Sequence, residues 1–198
     1  MRIKAGGTPR NPGAGMNRNK RQKQRMEGEQ SPSPGCDAGE RKMRRKDREV
    51  TDTARILELI RRCEVCRVAM FDETYPYIVP MNFGMSREGE PLALYFHCAP
   101  AGKKLELMQR NGLVSFEMDC TRRLVTGARA CDTSMEYESV CGCGHLERCG
   151  AQEKEYGLAR IMAHYCGEKA YAFDRAVLEK TVVLRLAVHA VTAKTNIG

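Results

Sequence analysis

Short apolar runs recur along this chain, the first three of them separated only by hairpin-length turns, and that spacing constrains the fold more than any other feature. Glu64 to Phe71, Tyr77 to Gly84, Leu92 to Cys98, Leu113 to Cys120, Tyr137 to Cys149 and Thr181 to Lys194 read as six strands. Asp72-Glu73-Thr74 and Ser86 to Pro91 are hairpin-length turns. Antiparallel neighbours can be joined by such turns, whereas parallel neighbours need crossover segments, commonly helices that cover the sheet. Three helical patterns are present, too few to cover both faces of a parallel sheet. One follows Thr51 or Asp52 as N-cap, with Ile56, Leu57, Leu59 and Ile60 on one face. Another runs from Lys103 to Asn111, closed by Asn111-Gly112, and a third from Gln152 to Cys166, with Tyr156, Ala159, Ile161, Met162 and Tyr165 facing inward. Residues 121–135 show no period and read as a loop. The pattern is that of an antiparallel, β-rich α+β domain, for which closure into a small barrel removes the sheet edges.

Within that frame, two segments carry chemistry. Leu94-Tyr95-Phe96-His97-Cys98-Ala99-Pro100-Ala101 leads into Gly102-Lys103-Lys104 at the start of a helix. Free N–H groups and a partial positive charge at a helix N-terminus, beside two ammonium groups, suit a phosphate. Taken alone, the same triplet is also a solvated first turn. The second segment is Val79-Pro80-Met81-Asn82. Pro80 lacks an N–H, so it implies an edge strand, a bulge or an interrupted ladder. Backbone groups left free there could read the heteroatoms of a planar ring. His97 is equally a backbone-bonded histidine or a ligand contact, and Tyr77 and Phe83 read as core.

These segments resemble the FMN-binding split-barrel family related to pyridoxamine 5'-phosphate oxidase, in particular its nitroimidazole-resistance branch. The resemblance rests on Tyr75 to Phe83, on Leu94 to Lys104, and on Tyr137-Glu138-Ser139-Val140-Cys141-Gly142-Cys143-Gly144. It extends over residues 43–196. It implies a six-stranded antiparallel split β-barrel with peripheral helices, FMN as cofactor, and a homodimer with the cofactor at the interface. It also implies that Val79, Pro80, Met81 and Asn82 lie against the flavin. His97, Cys98, Ala99, Lys103 and Lys104 then serve the phosphate and ribityl chain, while Ser139 and Val140 come from the partner subunit. The chemistry implied is electron transfer from a reduced nicotinamide to a small acceptor such as a nitroaromatic or quinone. A flavin- or haem-binding module without turnover is the alternative, and a deazaflavin would occupy a similar pocket. Some nitroimidazole-resistance members carry histidine where this chain has Lys103, and His164 falls in a family-like stretch where packing is the expected role. No side chain stands out as a catalytic acid or base.

The net charge of +8 is unevenly distributed: residues 1–42 hold ten Lys and Arg against four acids, with Gly and Pro repeated and no aromatic residue. Such a segment cannot bury enough apolar surface to order itself, and a disordered basic extension is expected, with residues 43–198 forming the domain. A solvated extension ahead of Met43 is the plain reading, and a nucleic-acid or anionic-membrane arm the other. Neither a signal-peptide pattern nor an apolar run of membrane-spanning length occurs, so a cytoplasmic protein with no membrane partner is expected. Ten cysteines invite a metal reading through Cys63-x-x-Cys66 and Cys141-x-Cys143. No second Cys-x-x-Cys lies at a zinc-ribbon spacing, and buried thiols behave as small hydrophobes, so no metal is expected.

Overall fold

The computed structural model describes residues 43–197, so the expected extension lies outside the described residues. Eight strands form one antiparallel sheet: β1 (Glu49–Val50), β2 (Cys66–Met70), β3 (Tyr77–Met81), β4 (Gly84–Met85), β5 (Ala93–Cys98), β6 (Leu113–Val125), β7 (Ser134–Arg148) and β8 (Val182–Thr195). Their order is β3-β2-β6-β7-β8-β5-β4, with β1 added beside β8. The helices are α1 (Thr53–Arg62), α2 (Lys103–Arg110), α3 (Ala151–Cys166) and α4 (Arg175–Lys180). This is the antiparallel split barrel with peripheral helices. The strand count is eight and not six, because β1 is added beside β8 and one expected strand breaks in two. Two departures from the expected pattern have physical sources.

The first is a break in the run from Tyr77 to Gly84. β3 lies at one end of the sheet and β4 at the other, yet only Asn82 and Phe83 separate them in sequence. Two residues can join opposite edges only if the sheet curls until those edges meet. Pro80 sits on the edge strand, as its missing N–H requires. Phe83 is fully buried and its N–H donates to the Tyr165 hydroxyl at 3.1 Å. Burying that ring is worth about 2–3 kcal/mol, more than the roughly 1 kcal/mol of one lost ladder bond. Gly84 completes the seam: a Cβ there would collide with the α3 backbone at Arg160 and Ile161.

The second departure is the stretch 121–135, expected to be a loop, which lengthens two strands without adding one. β6 continues to Val125 and β7 begins at Ser134, paired as Arg123↔Glu136, Leu124↔Met135 and Val125↔Ser134. Every side chain from Thr121 to Met135 is exposed, so neither face imposes a hydrophobic period. The ladder and a two-bond Arg123–Glu136 ion pair, at 2.7 and 2.8 Å, hold this arm. It departs from the barrel at a bulge between Cys120 and Arg122, where Thr121 adopts φ 54°.

Inside the barrel, Val114, Phe116 and Met118 of β6 meet Val68, Phe83, Phe96, Leu184 and Leu186, all buried. Ile56, Leu59 and Ile60 of α1 join this core, and Asp52 caps the helix by accepting from Ala54 N at 3.0 Å. The opposite face of β5 packs Ala93 and Tyr95 against Ile161 of α3 and Val183 of β8. Met162 and Tyr165, expected to face inward, are 37% and 42% exposed. α3 rests on the outside of a curved sheet along one narrow stripe, Gly157 and Ile161, so neighbouring positions stay in water. Tyr165 is nevertheless anchored, its hydroxyl donating to Glu64 O at 2.7 Å. His164, Nε2 at 2.7 Å from Cys63 O and its ring against Phe83, is a packing residue joining α3 to the end of α1. Cys63 and Cys66 are buried in the core as small hydrophobes.

Candidate functional site

α2 begins at Gly102, whose φ of 137° suits glycine and turns the chain sharply out of β5. No side chain caps this helix start, so its first-turn N–H groups face outward from the turn. The two lysines that follow do different things. The Lys103 ammonium binds Asp72 at 2.5 Å and lies 5.3 Å from the Tyr77 ring centroid. Its hydrogen bond to Asp72 raises the Lys103 pKa and lowers that of the carboxyl. Lys104 is half-buried, and its Nζ rests 3.5 Å from the Met81 thioether, with no carboxylate partner among the described residues. A thioether is a weak acceptor for an ammonium. Cys98, at the end of β5, stands nearby. Burial raises its thiol pKa, and the charges of Lys104 and Arg148 oppose that shift. Lys104, Arg148, Cys98, Met81 and the open end of α2 therefore make one positively charged corner beside the seam.

The residues singled out in the sequence fall into three places. Met81, Cys98 and Lys104 converge at this corner, with Ala99 exposed in the turn above it and Asn82 exposed at the seam itself. Val79 is half-buried against the core, while Pro80 alternates to the outer face. Ser139 also lies on the outer face, lining a hollow of about 700 Å3 with Ser115, Phe116, Cys141, Thr192 and Lys194. Val140 is fully buried in the barrel, so only its backbone could meet a ligand. His97 points to the far side of the sheet, away from Cys98. It opens on a hollow of about 370 Å3 between β5, α3 and α4, lined by Leu158, Ile161, Met162, Phe173, Val177 and Leu178. Strand alternation alone separates His97 from its neighbours. Arg148 was passed over in the sequence, because a charged residue closing a strand has no feature distinguishing it from a solvated end.

The outer face has a pattern of its own. Ile78, Ala69, Ser115, Cys143 and Ala190 are successive cross-strand partners from β3 to β8. Small side chains at four of these five positions make the face flat. Beside them Arg67 donates to Glu117 at 3.0 Å and to Asp119 at 2.7 Å. Among the described residues no group of His, Cys, Asp and Glu is arranged to hold a metal, and no helix is long and apolar enough to cross a membrane.

Comparison with known proteins agrees with this architecture. The pyridoxamine 5'-phosphate oxidase family model matches residues 52–195. A candidate 5-nitroimidazole antibiotic resistance protein from Bacteroides thetaiotaomicron is 32% identical, covering 74% of this chain and 86% of that one, with a TM-score of 0.65. The flavocytochrome Anf3 from Azotobacter vinelandii shares the fold at 18% identity, with coverage of 79% and 73% and a TM-score of 0.66. So does the FAD and heme binding protein from Mycobacterium smegmatis, at 19% identity, 76% and 74% coverage, and a TM-score of 0.66. No curated protein matches the chain. With its curled antiparallel sheet, its seam at Asn82-Phe83 and this match over most of its length, the chain belongs to the pyridoxamine 5'-phosphate oxidase family, in its nitroimidazole-resistance branch.

Proposed function

We propose that this protein is a homodimeric FMN-binding oxidoreductase. The observation that carries the reading is Lys104: a half-buried ammonium whose hydrogen-bond partner among the described residues is a thioether, at an uncapped helix start. Lys104 and the first-turn N–H groups of α2 hold the phosphate, with Arg148 adding charge. Lys103, occupied by Asp72, fixes the turn. Val79, Pro80, Met81 and Asn82 line the ring, with Cys98 and Ala99 under the ribityl chain. The flat outer face of β6, β7 and β8 takes the second copy, bringing Ser139 and the Val140 backbone to the partner's cofactor. The bound flavin supplies two-electron exchange between a reduced nicotinamide and a small acceptor such as a nitroaromatic or quinone. The protein's part is to hold the phosphate, orient the ring and shape the pocket above it. A cytoplasmic location goes with this reading.

The test is titration of the full chain with FMN and separately FAD, followed by quenching of flavin fluorescence. Tighter binding of FMN, and NADPH oxidation by the loaded protein that needs a nitroaromatic or menadione, are the expected results. Failure to bind either flavin overturns the reading. A preference for FAD keeps the flavoprotein and replaces the cofactor.

A second reading, haem binding, draws on His97. Its imidazole has no hydrogen-bond partner among the described residues and opens on an apolar hollow that also holds Met162. Added haemin producing a Soret band that His97→Ala abolishes would support it. An unchanged spectrum in that variant would remove it.

A further inference from the structure

The outer face of the sheet carries exposed apolar side chains at its two ends. Leu124 and Met135, cross-strand partners on the β6–β7 arm, are 59% and 45% exposed. β7 alternates without interruption through Met135, Tyr137, Ser139 and Cys141, so this pair shares the face of the hollow that Ser139 and Cys141 line. At the other end Phe71 and Tyr75, 66% and 78% exposed, frame a hollow of about 280 Å3 with Ala69, Pro76 and Ser115. Ser115 lines both hollows, so they open on one face. Because β2 pairs antiparallel with β6, the β2–β3 turn stands at the start of β6 and the arm at its end. Between the two ends, Cys141, Cys143, Ala190 and Thr192 are small and uncharged. Arg67, Glu117, Asp119 and Arg122 beside them are paired with one another. Sheet faces turned to water are ordinarily polar, whereas a centre depleted of charge within a polar rim is the make-up of an interface.

We propose that the arm of one copy clasps the β2–β3 turn of a second copy, with Leu124 and Met135 filling the hollow between Phe71 and Tyr75. The inference rests on the homodimer reading above and adds to it how the two copies are oriented. Across strands β3, β2, β6, β7 and β8, and along β6 from Ser115 to Leu124, the face measures about 24 Å by about 30 Å. That is on the order of 700 Å2, close to the roughly 800 Å2 that each partner of a stable pair buries. A two-fold axis lying in such a face runs either along the strands or across them. Along the strands, it sets arm against arm and leaves the hollow at the opposite end unfilled. Across the strands, it exchanges the two ends, so each arm meets the partner's turn and the contact forms twice. An isologous interface is self-complementary in this sense, and burying the apolar ends favours the second orientation. β2 pairs directly with β6, so the turn and the arm stand about one strand apart across the face. Asp72, in the wall of the receiving hollow, is the residue that holds Lys103. The partner's arm therefore closes against the turn that shapes the phosphate corner.

The experiment uses the full chain. Unlabelled protein with p-benzoylphenylalanine in place of Met135 is mixed with nitrogen-15-labelled wild type, left to exchange subunits, irradiated, digested with trypsin and analysed by mass spectrometry. Cleavage after Arg129 and Arg148 isolates position 135 in residues 130–148, and cleavage after Arg67 and Arg87 isolates the turn in residues 68–87. The expected product is the light arm peptide linked to the heavy turn peptide, with the link between Phe71 and Pro76. Sedimentation should show Leu124→Glu and Met135→Glu each raising the dimer dissociation constant by about tenfold or more, with an unchanged melting temperature at monomer concentrations. Adding Phe71→Lys to Leu124→Glu should recover part of that loss. A wild-type dimer whose arm links elsewhere, or only within its own chain, overturns the clasp and leaves the homodimer standing. So do unchanged dissociation constants in both glutamate variants, which decide the matter even if the photoreactive protein fails to assemble. A wild type that sediments as a monomer overturns the homodimer reading and the clasp together.

Discussion

Two clusters of charge in this molecule have opposite characters. Around Glu138 each charge is answered: the carboxylate, with no exposed surface, accepts from Arg55 at 2.7 Å, from Thr121 at 3.1 Å and from Arg62. Around Lys104 the charge is left over, its ammonium resting on a methionine sulfur. A satisfied buried acid specifies how α1, β6 and β7 meet and has no capacity for a ligand. A half-buried cation with a poor partner contributes little to folding and is ready for an anion. The same contrast recurs between adjacent residues, since Lys103 is spent on Asp72 while Lys104 is not.

The largest effect should come from breaking the satisfied cluster. Arg62→Met removes a cation from a carboxylate that cannot reach water, and about 3 kcal/mol of stability should be lost. Urea unfolding measures it, and a loss under 1 kcal/mol would mean that Arg55 alone suffices. Lys104→Met tests the other cluster: FMN affinity should fall about 10- to 100-fold, the weight of a charged hydrogen bond or two, with little change in the urea midpoint. Were Lys104→Met to unfold the protein and leave affinity intact, the contrast would be reversed. Lys103→Ala should weaken FMN by no more than about threefold, since the ammonium it removes is held by Asp72 and the Tyr77 ring and not by the phosphate. Equal losses in the two lysine variants would erase the distinction between them.

The smallest effect concerns pH. Burial lowers the His164 pKa below its unfolded value near 6.5, so the unfolded chain binds the extra proton first. The stability that neutral His164 contributes is complete above that value and is lost as pH falls through the folded one. Stability of the wild type should therefore decline between pH 7 and 5, and His164→Gln should flatten the slope. An identical slope in both would assign the decline to other groups.

What the sequence made legible follows from what each residue had to satisfy. Alternating burial marked Val114, Phe116 and Met118, and a missing N–H narrowed Pro80 to an edge, a bulge or an interrupted ladder, of which the fold takes the edge. The arm was illegible because both its faces are wet, and α4 because it is one short turn and a half with no buried residue. The seam at Phe83 reads locally as strand; only the closure of the sheet makes it a break. The Glu138 cluster left a faint trace: Arg55 and Arg62 are two helical turns apart on α1 and share a face. Which lysine is free could not be read at all, because the answer depends on Asp72 folding back from another hairpin.

Thr121 has a consequence for how the arm is aimed. One torsion in a sparsely populated region sets the direction in which β6 and β7 leave the barrel, and the same residue's hydroxyl is bonded to Glu138. The arm therefore behaves as a lever whose pivot is fastened to the buried acid. Lengthening or rewriting its tip changes what it can touch without altering where it points, whereas a single change at the pivot would swing all of it at once.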